Sequence, residues 1–212
     1  MVISLENPLC IRIPSSCWLL RAATLVRAKI APMQIRYFVH ATTLDNEAGI
    51  ATGSAEVELS PLGKQQVQDL KKAIEGEQFD AVFSSDLSRA KETAEGALGD
   101  RYQVVTDSRL REINVGDETG KKDTDTSPLL YQHIDAPFSN GDSLRQIEQK
   151  MRQFLEEMSP KYENKTIAIF AHQAPQLALE VITKGVSWEA ALDNDWRKTK
   201  SFQYGWDYSY PV

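Results

Sequence analysis

Two short apolar runs that each end in a histidine constrain this chain more than any other feature. Tyr37-Phe38-Val39 leads into His40, then Ala41-Thr42-Thr43-Leu44-Asp45-Asn46, and Thr166-Ile167-Ala168-Ile169-Phe170-Ala171 leads into His172. Runs this short, apolar at successive positions and followed by small or hydroxyl residues, read as buried strands of a parallel sheet. Ligands bind at the carboxyl edge of such sheets. Two of the three histidines therefore occupy matching positions on that edge.

The residues between them alternate in kind. The first strand runs from Ile35 to Val39. Ser60-Pro61 reads as a helix start, serine capping and proline at the first helical position. Val67, Leu70, Ala73 and Ile74 follow at helical spacing, and Gly76 is the expected terminator. Phe79–Phe83 reads as the second strand, Asp86 as the cap of a helix with Leu87, Ala90, Ala94, Ala97 and Leu98 inside, and Tyr102–Val105 as the third strand. Residues 107–142 are polar and broken by glycine and proline, so they predict a pocket wall or lid. Ser143 with Gln146 forms a capping box ahead of Ile147, Met151, Phe154, Leu155 and Met158. After His172, Pro175 opens a helix through Ile182, and the aromatic tail (Trp188, Trp196, Phe202, Tyr204, Trp206) is expected to pack over the core. This order predicts an α/β fold, a three-layer α/β/α sandwich with a mostly parallel central sheet.

Charge and cysteine usage narrow the partners. A net charge of -6 disfavours a general nucleic-acid or anionic-membrane surface, and no apolar run reaches the ~20 residues that span a bilayer. Residues 1–32 stand apart: they carry Arg12, Arg21, Arg27 and Lys29 against Glu6, and both cysteines, Cys10 and Cys17. They read as a non-core extension before Met33, an over-extended start or else an organellar transit peptide. The domain is then 33–212, without cysteine, which makes a reducing, cytoplasmic setting the expectation, or an organelle if the extension is a transit peptide.

Four candidates for chemistry lie at or beyond strand ends: His40, Arg89 after Ser84-Ser85, Glu112 and His172. A histidine attacks phosphorus when other groups share the negative charge, arginine binds phosphoryl oxygens through its planar fork, and a carboxyl group protonates the leaving oxygen. These parts suffice for phosphoryl transfer through a phosphohistidine, with no metal or cofactor. Taken singly each residue is bland: a packed strand-end histidine, a solvated arginine, a glutamate in a surface ion pair with Arg111. His133 matches nothing and reads as surface.

In order along the chain, however, they carry a resemblance. Tyr37-Phe38-Val39-His40-Ala41-Thr42-Thr43 with Asn46, Ser84-Ser85-Asp86-Leu87-Ser88-Arg89, Leu110-Arg111-Glu112-Ile113, Gly141-Asp142-Ser143-Leu144 and Phe170-Ala171-His172-Gln173 resemble the successive motifs of the histidine phosphatase superfamily (phosphoglycerate-mutase-like, branch 1), over residues 33 to about 185. The resemblance implies a phosphoglycerate-mutase-like fold and a metal-independent phosphatase acting on a small phosphorylated metabolite. It makes His40 the nucleophile, Arg89 and His172 the clamp on the phosphoryl group, and Glu112 the proton donor and later the base. Asn46, Thr43 and Gln173 would contact substrate. The runner-up readings are a catalytically weakened binder of phosphorylated ligands and a phosphoglycerate-type mutase.

The chain departs from the family pattern at one position that matters. An arginine normally precedes the nucleophile, and here Val39 does, as though a residue were deleted. Arg36, four residues before His40, cannot substitute from within the strand. Loss of one preorganised donor removes ~3–4 kcal/mol of transition-state stabilisation, so weakened turnover is expected. A deletion would also turn strand side chains to the opposite face. Ala41 and Gln173 replace frequent glycines, smaller changes.

Overall fold

The computed structural model describes residues 31–199 and 203–211; most of the N-terminal extension, residues 1–30, and Phe202 lie outside the described residues. The elements alternate as the pattern requires: β1 (Met33–Val39), α1 (Leu44–Ala48), α2 (Pro61–Ala73), β2 (Ala81–Ser84), α3 (Ser88–Leu98), β3 (Val104–Thr106), α4 (Asp123–Thr126), α5 (Leu144–Met158), β4 (Thr166–Ala171), α6 (Gln173–Lys184), α7 (Trp188–Asp193), α8 (Trp196–Thr199) and β5 (Trp206–Tyr210). The sheet order is β3-β2-β4-β1-β5, with every pairing parallel except β1 with β5.

Alternation along each strand builds three layers. Ile35, Tyr37, Ile167, Ile169 and Phe83 join one cluster with Ile147, Met151, Phe154 and Leu155 of α5 and Leu177 of α6. Phe38, Val82, Ala168 and Phe170 face the other way, onto Leu70 of α2 and Ala94, Ala97 and Leu98 of α3. The mixed α/β fold with a mostly parallel sheet is as the sequence implied. Among the described residues no helix is long and apolar enough to cross a membrane.

Local signals hold where the bond is short-range. Ser60 Oγ accepts from Gly63 N at 3.1 Å to start α2, and Ser143 and Gln146 close the expected capping box of α5. Three expectations are corrected. Asp86 does not cap α3, whose N-cap is Leu87 without a side-chain bond; Asp86 instead takes a bidentate ion pair from Arg111 at 2.6 and 2.7 Å. A two-point charged contact outcompetes one cap bond. Helix α2 ends at Ala73, before Gly76, with Ile74 as its C-cap. The tail does not only cover the core: it contributes β5, antiparallel to β1, with Tyr37 opposite Trp206.

Candidate active site

β1 and β4 are neighbours in register, Val39 opposite Ala171, and the His40 amide donates to Ala171 O at 3.0 Å. The next residue on each strand is therefore a histidine at the same level. Their rings lie 5.1 Å apart, centroid to centroid, tilted by 56°. The apparent deletion before His40 thus leaves the two imidazoles together. Val39 packs against the α5–α6 core, and Arg36 is held by Glu77 (3.1 Å twice) and Asp207 (3.1 Å), so neither adds a donor to this site.

His40 Nδ1 lies 2.8 Å from the Ala41 carbonyl. A carbonyl only accepts, so Nδ1 carries the proton and the lone pair is on Nε2. His172 is fully buried and neither ring nitrogen has a partner among the described residues. An unmatched polar group costs about 1–3 kcal/mol, so two in one ring demand a reason. The backbone behind that ring is fixed: Tyr37 Oη donates to His172 O at 2.7 Å and accepts from His172 N at 3.0 Å. The sequence reading missed Tyr37. Its one signal was a hydroxyl-bearing side chain on the otherwise apolar inner face of β1, beside Met33, Ile35 and Val39.

Arg89 belongs to the first turn of α3 and is only 2% exposed. It is not a solvated charge. Its two terminal nitrogens donate to Ala55 O at 2.8 Å and Gly53 O at 2.7 Å, drawing the segment after α1 onto the sheet edge. Gly53 has φ +53, and a Cβ there would meet Val115 Cγ2 at 2.9 Å, so the approach depends on glycine. Glu112 is likewise more than a surface charge. Its carboxyl oxygens accept from the amides of Ile113 (3.0 Å), Gln173 (2.9 Å) and Ala174 (3.0 Å), which seats it on the N-terminus of α6.

A cavity of about 110 Å³ opens beside these groups, lined by His40, Arg89 and Glu112 and also by Thr43, Asn46 and Gln173. All seven residues singled out from the sequence therefore converge: six line the cavity, and His172 lies behind His40. Their offers to a ligand differ. Thr43 and Asn46 close a capping box on α1, with Asn46 Oδ1 accepting from Thr43 N at 3.1 Å, which leaves Asn46 the Nδ2 amide to donate. Gln173 gives its backbone amide to Glu112 and its side-chain amide to buried Asp195, and so serves chiefly as wall. The remaining wall comes from residues the sequence did not single out, among them Thr52, Asp123, Thr126 and Ser127. His133 is half-buried, stacks on Phe138 at 3.8 Å and takes no part.

Both imidazoles are neutral at pH 7. His40 is pushed down to about 3, first by burial and then by the charges of Arg89 and Arg197, against the opposing Ala41 hydrogen bond. His172 is lowered well below 6.5 by burial, by Arg89, by His40 and by Arg197. A neutral ring is the form that can attack phosphorus. It also sets a pH dependence. Unfolded histidines bind protons near 6.5 and folded His40 only near 3, so in that window protons favour the unfolded chain and stability falls as pH drops. The expected loss from His40 between about pH 6.5 and 4.5 is on the order of 1–2 kcal/mol. Urea midpoints across that range should fall less for His40→Asn than for wild type; parallel lines would show that His40 is not held neutral.

A neutral imidazole, a buried guanidinium and an amide-seated carboxyl group stand together at the carboxyl edge of a parallel sheet. Residues 37–207 match the histidine phosphatase superfamily (branch 1), and the chain belongs to that family. It is 28% identical over 168 residues to phosphoserine phosphatase 1 of Hydrogenobacter thermophilus, covering 73% of this chain and 80% of that one. It is 27% identical over 154 residues to the adenosylcobalamin/alpha-ribazole phosphatase of Escherichia coli, covering 66% and 74%. The crystal structure of the alpha-ribazole phosphatase from Shigella flexneri superposes with a TM-score of 0.68 at 25% identity, over 76% of this chain and 84% of that one.

Proposed function

We propose that this chain, a phosphoric monoester hydrolase by family, works through a phosphohistidine on His40. In the first step His40 Nε2 attacks the phosphorus of a small phosphomonoester, the P–O bond to the alcohol breaks, and Glu112 gives its proton to the leaving oxygen. In the second, Glu112 takes a proton from water, the water oxygen bonds to phosphorus, the P–N bond breaks, and inorganic phosphate leaves. Arg89 holds the non-bridging oxygens throughout, and His172, buried beside His40 with both ring nitrogens unpartnered, joins it once the phosphoryl group is seated against the two rings. The observation that carries this reading is the pair of neutral imidazoles 5.1 Å apart, one with both ring nitrogens unpartnered, within the field of a buried arginine. We take the reaction to be metal-independent: Arg89 and hydrogen-bond donors meet the charge of the transferring group, and chelators should not affect turnover.

The test is to trap the intermediate. Quenching a reaction with labelled substrate should leave protein-bound phosphate that survives base, is lost in acid and maps to His40 by mass spectrometry. Turnover with no such species, or with label elsewhere, would reject the mechanism. Val39 favours one alternative, a phosphate-ligand binder that turns nothing over; vanadate binding by calorimetry without hydrolysis would select it. The natural setting of the reaction we take to be the cytoplasm, on a small phosphorylated metabolite.

A further inference from the structure

The phosphatase reading leaves the alcohol part of the substrate open, and the cavity wall bears on it. Once the phosphoryl group is assigned to His40 and Arg89, the leaving group must meet the rest of the lining. Part of that lining is apolar, including Ile50, Ile113, Val115 and Leu177. Its charged members are few. Among the described residues Arg89 is the only lysine or arginine that lines the cavity, whereas two carboxylates do, Glu112 and Asp123. A leaving group bearing a carboxylate or a second phosphate would face the Asp123 carboxylate and find no cation of its own.

Asp123 is exposed, but its backbone is fixed. Its amide donates to Gly49 O at 2.8 Å, the Ala51 amide donates to Lys121 O at 2.9 Å, and an antiparallel bridge pairs Ile50 with Lys122. That same segment is held at Gly53 and Ala55 by Arg89. The carboxylate and the guanidinium are thus indexed to each other through a few residues of backbone. Ser127 Oγ donates to Asp123 Oδ1 at 3.0 Å, which orients the carboxylate and leaves Oδ2 for another donor. Beside it Thr126 lines the cavity, is 3% exposed, and its Oγ1 has no hydrogen-bond partner among the described residues. A buried hydroxyl in that state is matched by a ligand group that can donate or accept.

We infer that the leaving alcohol is a small amino alcohol whose ammonium group is received by Asp123 and Thr126, so that this wall selects against purely anionic alcohols. The cavity, about 110 Å³, suits a group of only a few heavy atoms. The inference rests on the phosphatase reading and deepens it, and it weighs against the mutase alternative, whose phosphoglycerate substrate is anionic at both ends.

The experiment compares kcat/KM for O-phosphoethanolamine (ammonium only), O-phosphoserine (ammonium and carboxylate), 3-phosphoglycerate (carboxylate only) and p-nitrophenyl phosphate as reference. Wild type should rank them in that order relative to the aryl ester. Asp123→Asn should lower the phosphoethanolamine-to-aryl ratio by about fivefold, the size of one partly exposed ion pair. Asp123→Lys should raise the phosphoglycerate-to-aryl ratio, and Thr126→Val should lower the phosphoethanolamine ratio without changing shape. Hydrolysis with no preference for ammonium substrates, or ratios that Asp123→Asn leaves unmoved, overturns the inference while the phosphatase reading stands. If wild type hydrolyses none of the four, that reading falls and this one with it.

Discussion

Replacing His40 by alanine is expected to reduce turnover of any phosphomonoester by at least about 10⁴-fold, the loss seen when an enzyme is deprived of its nucleophile. No neighbouring group can take over. His172 is closest, but its ring is fully buried behind His40 and is not part of the cavity wall. The loss should not reflect unfolding. Among the described residues the His40 side chain makes one hydrogen bond, to the carbonyl of the adjacent Ala41, and the amide bond to Ala171 O that aligns the strand is untouched by the change. The variant should therefore unfold at nearly the wild-type urea concentration and still bind vanadate through Arg89. Initial rates, a denaturation curve and a calorimetric titration check all three. A variant that keeps a tenth of the wild-type rate would sink the nucleophile assignment.

How far the sequence could lead depended on the range of each interaction. The layers were legible because strand alternation is local: Phe38 and Phe170 facing one way and Tyr37 and Ile169 the other follows from a period of two. The pairing of His40 with His172 was legible too, because both follow an apolar run and neighbouring parallel strands end level. β5 was readable and was not read. Trp206-Asp207-Tyr208-Ser209-Tyr210 alternates apolar and polar as an edge strand does, yet its aromatic richness suggested cover for the core. What could not be read were contacts between distant segments. Nothing in the local sequence says that Arg89 is buried, since the carbonyls that hold it are 34 and 36 residues earlier. Nothing says that Glu112 leaves its neighbour Arg111 to sit on a helix 61 residues later. The cavity wall between residues 113 and 142 is built from short helical turns whose positions are set by backbone bonds such as Gly120 N to Ala51 O, 2.9 Å.

The concern raised by Val39 also changes character. A residue lost from the strand could have rotated His40 away from its partner, and it has not, because the β1–β4 register places its amide on Ala171 O. What is missing is one positive charge. Among the described residues Arg89 is the one guanidinium that lines the cavity, and Arg197, ion-paired to Asp195 at 3.0 Å, adds its field. Fewer preorganised donors leave more of the developing charge to be met by proton transfer, which puts weight on Glu112.

Glu112→Gln is accordingly expected to slow alkyl phosphates by about 10²–10⁴-fold, the range for a lost general acid. The size should depend on the alcohol. An alkoxide cannot leave without a proton, whereas p-nitrophenolate can, so the first step on the aryl ester should be nearly spared. The second step needs Glu112 as base whatever the substrate. The variant should thus release about one equivalent of p-nitrophenol in a burst and then stall as phosphohistidine, while alkyl phosphates give no burst. A structural effect predicts otherwise. Glu112 accepts three amide bonds at the start of α6, and the glutamine Nε2 would confront one of those donors, at a cost of about 1–3 kcal/mol in stability. Damage of that kind displaces the helix and slows both substrate classes equally. Stopped-flow records of the two substrates separate the cases: a burst confined to the aryl ester assigns proton transfer to Glu112, and a uniform loss without a burst would reduce it to an anchor for α6.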